Sequence, residues 1–122
     1  MAHILIIDDD ELFRESLVLM LEQLGHSVVE AANGLQGMAW FELEAFDLVM
    51  TDLVMPEQEG IETILKIRRK KTGIKIIAMS GGGNISITRT NLESAKKLGA
   101  TATLSKPFSA DELSNLLAKT LA

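Results

Sequence analysis

The sequence predicts an α/β fold with a doubly wound parallel sheet, and three observations carry that prediction. Strand-like and helix-like segments alternate five times along 122 residues. The strand-like runs are short and apolar, as expected for strands buried on both faces. Three of them stop at charged residues. His3–Ile7 runs into Asp8-Asp9-Asp10, Asp47–Thr51 into Asp52, and Ala102–Ser105 into Lys106-Pro107.

Each element has its own signal. His3–Ile7 is a β-branched apolar run and reads as the first strand. Glu11–Leu24 follows, with Leu12, Phe13, Leu17, Val18, Leu21 and Leu24 at helical spacing and Gly25 placed to stop the helix. Ser27–Glu30 is a short second strand. Asn33 can cap a helix that runs to about Ala45. Leu48–Thr51 is the third strand, and the loop Leu53–Glu59 after it contains Pro56. A third helix over Gly60–Lys71 puts Ile61, Ile64, Leu65 and Arg68 on one side, with Gly73 beyond its end. Ile74–Met79 is the fourth strand, followed by the loop Ser80-Gly81-Gly82-Gly83-Asn84. Ser86, Thr88 and Thr90 each qualify as the cap of a fourth helix that ends near Leu98 at Gly99, and Thr90 has capping-box spacing to Glu93. Ala102–Ser105 is the fifth strand. Ser109-Ala110-Asp111-Glu112 is a capping box for a last helix that buries Leu113, Leu116, Leu117 and Leu121.

Right-handed crossovers leave few topologies for five such units. The flavodoxin-like (βα)5 order 2-1-3-4-5 has its ligand crevice at the switch point between the first and third strands. In that order Asp8, Asp9 and Asp52 flank the crevice.

Composition narrows the function classes. Hydrophobic residues make up 47% of the chain and charged ones 24%, which suits one folded domain over 1–122. A net charge of -5 gives no footprint for direct nucleic-acid binding. The chain has no cysteine, which excludes disulfides, a thiolate nucleophile and a cysteine metal site and suits a cytoplasmic location. No apolar run is long enough to span a bilayer, and Ile4–Ile7 is too short for a signal-peptide core.

The acids are the candidate site. Asp is a good helix cap, so Asp8 or Asp9 could simply start the first helix. Asp10 can do that equally well, which leaves Asp8 and Asp9 for other work. Clustered carboxylates repel by about 4 kcal/mol per pair at 4 Å and an effective dielectric of 20. A hard divalent cation such as Mg²⁺ removes that penalty and often completes its shell with phosphate. Lys106 at the end of the fifth strand supplies the matching positive charge, and Ser80 at the end of the fourth has a hydroxyl that can donate to a phosphoryl oxygen.

The chain resembles the receiver domain of two-component response regulators, including the single-domain chemotaxis type. The resemblance covers the whole chain. It rests on Ile-Ile-Asp-Asp-Asp after the first strand, Thr51-Asp52-Leu53-Val54-Met55-Pro56 with Gly60, Met79-Ser80-Gly81, and Lys106-Pro107-Phe108. It implies a signalling module that catalyses its own phosphorylation and dephosphorylation. Asp52 would take a phosphoryl group from a phosphohistidine on a sensor histidine kinase or histidine phosphotransfer protein. Asp9, Asp52 and the Val54 carbonyl would ligate Mg²⁺, with Asp8 supporting it partly through water. Lys106 would pair with the phosphoryl oxygens and Ser80 would report their presence. The surface from the fourth strand through the fourth helix, fifth strand and fifth helix would then change for a downstream effector. Neither the kinase nor the effector is written in the residues, and Met1 and Ala122 suit a stand-alone protein and the receiver of a larger regulator alike.

Two departures affect the switch. The family often has an aromatic residue three positions before the lysine, where this chain has Thr103. Gly81-Gly82-Gly83 makes the loop after Ser80 unusually free. We expect phosphorylation to order Ser80–Ile87, with Thr103 nearly passive.

Other readings fit less well. An aspartate-nucleophile phosphohydrolase of the haloacid-dehalogenase type resembles Asp-x-Asp, but Val54 stands at the second position. A flavin carrier needs a phosphate loop after the first strand, where Asp8-Asp9-Asp10 would repel phosphate. A non-phosphorylated receiver-like docking module would lack one of Asp8, Asp9, Asp52 or Lys106. His3 and His26 lie outside the site, Trp40 reads as helix packing, and Arg68–Lys71 reads as a basic helix end that suits the macrodipole.

Overall fold

The structure, a computed structural model, describes residues 1–53, 59–81 and 93–122. The chain runs β1 His3–Ile7, α1 Glu11–Gln23, β2 Ser27–Ala31, α2 Gly34–Leu43, β3 Leu48–Asp52, α3 Glu59–Lys70 and β4 Lys75–Gly81. A helix α4 follows, described over 93–98. Strand β5 Ala102–Lys106 and helix α5 Ala110–Leu121 complete the chain. The sheet order is β2-β1-β3-β4-β5, and every pairing is parallel. This is the expected flavodoxin-like topology.

Alternating residues of each strand feed two cores. Leu5, Ile7, Val49, Ile76 and Ala78 pack with Ile64 and Ile67 of α3, Ala95 of α4 and Phe41 of α2. Ile4, Ile6, Met50, Ile77 and Met79 pack with Leu17 and Leu21 of α1 and Leu113 and Leu117 of α5. Period-two burial on both faces makes the central strands read as unbroken apolar runs.

Two of the expected helix starts, at Asn33 and Ser109, are present. Asn33 accepts from the Gln36 amide at 2.8 Å, and Ser109 and Glu112 close their capping box. The stops at Gly25 and Gly99 hold, with φ of 92° and 130°.

Several boundaries shift. Strands β3, β4 and β5 extend through Asp52, Gly81 and Lys106, because Asp52 pairs with Met79 and Gly81 with Lys106 in the ladder. Asp52, Ser80 and Lys106 therefore sit on hydrogen-bonded strand ends and not in loops. Leu12, expected on the apolar face of α1, is 79% exposed. It lies five residues before Leu17, about 140° around the helix and off the stripe. Leu24 is exposed because it is the C-cap residue, beyond the last turn. In α3 the apolar face also includes Ile67 and Thr63, which the sequence reading missed.

Arg68 does more than complement a helix end. Its Nε and Nη2 donate to the Gly99 carbonyl at 3.2 and 2.6 Å. Its Nη1 donates to the carbonyls of Thr72 and Ile74 at 2.7 and 2.5 Å. One planar guanidinium thus ties the α3–β4 turn to the end of α4, a use that needs its fork of donors.

Candidate functional site

Three strand ends converge. Carboxylate oxygens of Asp8, Asp9 and Asp52 lie within 4.8 Å of one another, with Asp8 and Asp52 buried and Asp9 exposed. Asp8 directly follows β1, and Asp52 closes β3, its hydrogen-bonded neighbour. Lys106, from the edge strand β5, reaches across β4. Its Nζ donates to Asp8 Oδ2 at 2.8 Å and lies 3.5 Å from Asp52 Oδ2.

Local chemistry fixes each group. The Asp8 amide donates to the Ala31 carbonyl at 3.1 Å, continuing the β1–β2 ladder one residue past the strand. Asp8 Oδ1 accepts from the Asp10 amide at 2.9 Å, and Arg14 Nη1 donates to the Asp8 carbonyl at 2.6 Å. Asp10 takes the capping role, accepting from the Phe13 amide at 3.1 Å, so Asp8 and Asp9 are left for the site. The Lys106–Pro107 peptide is cis. Ser80 is fully buried, and its Oγ has no hydrogen-bond partner among the described residues. It stands one residue beyond the Asp52–Met79 pairing. A buried hydroxyl without a partner costs about 1–3 kcal/mol, so a phosphoryl oxygen within reach of this one would be a favourable acceptor.

Asp9, Phe13, Asp52, Gly81, Lys106 and Pro107 line an open cleft of about 410 Å³. A larger cleft of about 630 Å³ lies at the opposite edge, against His26, Asp47, Lys75 and Leu117, and holds none of the expected site residues. The small cleft is the chemical one, because it holds the clustered acids. An all-oxygen donor set with two buried carboxylates is compatible with a hard divalent cation.

The structure brings Asp8, Asp9, Asp52 and Lys106 together as the sequence implied. Val54 lies outside the described residues, as do Gly82–Asn84, Ile87 and the proposed caps Ser86, Thr88 and Thr90. Thr103 is half-buried in β5, opposite Ala78. His3 binds Glu44 and Ser27 at the other end of the sheet, and His26 accepts from the Ala2 amide, so neither joins the site. Sequence reading missed one neighbour of the lysine. In the sequence Phe13 stands out only by its helical spacing, yet the Lys106 ammonium sits 4.0 Å from its ring centroid. Its place one turn after the acids was the only signal available.

Comparisons with known proteins agree with this geometry. The family model described as "Response regulator receiver domain" matches residues 4–118. The chain is 35% identical over 120 residues to the DNA-binding transcriptional regulator NtrC of Azospirillum brasilense, covering 98% of itself but only 24% of that protein. It therefore spans about a quarter of that relative's length. It is 32% identical over 118 residues to sporulation initiation phosphotransferase F of Bacillus subtilis (strain 168), covering 97% of itself and 92% of that protein. Among solved structures, a CheY-like response regulator receiver domain protein from Methanospirillum hungatei JF-1 superposes with a TM-score of 0.87 at 30% identity, over 99% of this chain and 94% of that one.

Proposed function

The chain belongs to the response regulator receiver domain family, and on that premise we propose that Asp52 accepts a phosphoryl group from a phosphohistidine in the presence of Mg²⁺. The observation that carries the reading is the convergence of Asp8, Asp9 and Asp52 within 4.8 Å beside the Lys106 ammonium.

In the transfer, a carboxylate oxygen of Asp52 attacks phosphorus. The phosphorus–nitrogen bond breaks, and the donor imidazole leaves with the electron pair. Asp8, Asp9 and Asp52 would hold Mg²⁺, with the Val54 carbonyl as a further ligand. Bound Mg²⁺ would offset the charge of the phosphoryl oxygens. Lys106 is already between Asp8 and Asp52, so a small displacement brings its ammonium onto a phosphoryl oxygen. The Ser80 hydroxyl would gain the acceptor it lacks among the described residues, which gives it a reason to move on phosphorylation. These groups position and neutralise, which is most of what phosphoryl transfer requires.

The donor is a sensor histidine kinase or a histidine phosphotransfer protein, and the product is read by a downstream effector. A cytoplasmic location belongs to the same reading. Among the described residues no helix is long and apolar enough to cross a membrane. The phosphohydrolase alternative has no support, since the family match is to receivers and Val54 fills the place of its second acid.

Incubation with Mg²⁺ and a small phosphodonor should add one phosphoryl group by intact mass. No added mass under conditions that keep the protein folded would sink the reading. Mg²⁺ should also raise the melting temperature, because it relieves carboxylate repulsion only in the folded state. Binding at ten times Kd adds about 1.4 kcal/mol. Asp9→Asn should show a clearly smaller gain in a thermal melt with and without millimolar Mg²⁺. An equal gain would remove Asp9 from the metal site.

A further inference from the structure

We propose that Phe13 is a positioning residue for the Lys106 ammonium, holding it for the exchange from Asp8 to a phosphoryl group on Asp52. The inference rests on the receiver reading and adds a residue to its machinery. Lys106 has a flexible four-carbon stem, and nothing in a lysine's own structure fixes its ammonium over one carboxylate. Besides Asp52 Oδ2 at 3.5 Å, two attachments hold it here. Asp8 Oδ2 accepts at 2.8 Å, and the face of Phe13 lies 4.0 Å from Nζ.

The two attachments differ in kind. The carboxylate uses up one N–H donor. The ring attracts the charge through its quadrupole and uses none of the hydrogen-bonding geometry. An acid in place of Phe13 would hold the lysine too, but it would compete with the phosphoryl oxygens and add negative charge. The aromatic face keeps the ammonium in the cleft while leaving donors free to change partner.

Phe13 is itself held from two sides. Its amide is bound by the Asp10 cap at 3.1 Å, which sets the first turn of α1. Its ring meets Phe108 edge to face, with centroids 5.6 Å apart and planes at 89°. Phe108 is two residues beyond Lys106, so the segment that delivers the lysine also pins the ring beneath it.

The test compares wild type, Phe13→Leu, Phe13→Tyr and Phe108→Leu, with acetyl phosphate and saturating Mg²⁺. Phe13→Leu keeps the apolar bulk but removes the quadrupole. Its maximal phosphorylation rate should fall by roughly 3- to 10-fold, with the half-saturating phosphodonor concentration little changed. Phe13→Tyr should restore the rate, and Phe108→Leu should lower it less. In NMR spectra the Lys106 ε-methylene protons should show an upfield ring-current shift in wild type and Phe13→Tyr that Phe13→Leu loses. A loss through packing alone would lower the melting temperature without this pattern. If wild type takes up no phosphoryl group, the receiver reading fails. If it does and Phe13→Leu matches it in rate, or the ε-methylene shift is absent from wild type, only the role of Phe13 is overturned.

Discussion

Replacing Asp52 with Asn is expected to abolish phosphorylation while leaving the fold intact. The substitution is nearly isosteric, so the buried end of β3 keeps its packing and its pairing with Met79. It removes the anionic oxygen that attacks phosphorus. It also removes one of the three clustered charges, so the metal-free protein should be no less stable than wild type. Lys106 keeps its 2.8 Å bond to Asp8, so the cation is not left stranded. Intact mass after exposure to Mg²⁺ and a small phosphodonor should show no addition, against one phosphoryl group for wild type. Equal labelling of the variant would transfer the acceptor role to another residue. Asp9 is the first to check, being the exposed member of the trio.

The largest effect on stability is expected at Gly60. A Cβ there would collide with the Asp52 carbonyl oxygen and come within 2.7 Å of Leu53 Cα. Both obstacles are backbone, so no rotamer change relieves them. Alanine gains about 1 kcal/mol of helix propensity over glycine. Overpacking costs about 1–3 kcal/mol where side chains can yield, and more where backbone must move. Gly60→Ala should therefore lose about 3 kcal/mol net in urea unfolding, and it should slow phosphorylation, because relief comes only by shifting the end of β3. Gly25→Ala is the control. Its φ of 92° is unfavourable for alanine, but nothing lies within 4 Å of the added atom. It should cost about 1 kcal/mol and leave phosphorylation alone. Equal, mild losses at both positions would overturn the close approach of α3 to β3.

Much of the site was legible because its signals are local. Asp8, Asp9 and Asp52 follow apolar runs too uniform to be anything but central strands. In a parallel sheet the carboxyl ends of those strands share an edge. Asp10 as a spare cap was legible for the same reason, since capping reaches only three residues ahead. Leu12 was misread because six apolar residues along α1 form a wider band than one face can bury. The further role of Arg68 was not legible because a basic residue in a last helical turn already has a sufficient explanation, and one of its partners, the Gly99 carbonyl, lies 31 residues away.

The sequence by itself determined the α/β class, the five-unit order, the helix stops at Gly25 and Gly99, and the set of acids with their lysine. Each of these follows from periodicity, capping or chain topology, which act over a few residues or are limited by handedness. Only the tertiary structure decided that Lys106 bonds Asp8 at 2.8 Å and stands off Asp52 at 3.5 Å. It alone seated that ammonium on Phe13, left the Ser80 hydroxyl without a partner among the described residues, and set Gly60 against the backbone of Asp52. Lys106 and Asp8 are 98 residues apart in the chain. Their meeting depends on the register of four strands and the seating of α1, so a shift of an ångström changes which oxygen the ammonium chooses. Local pattern carries no information at that scale.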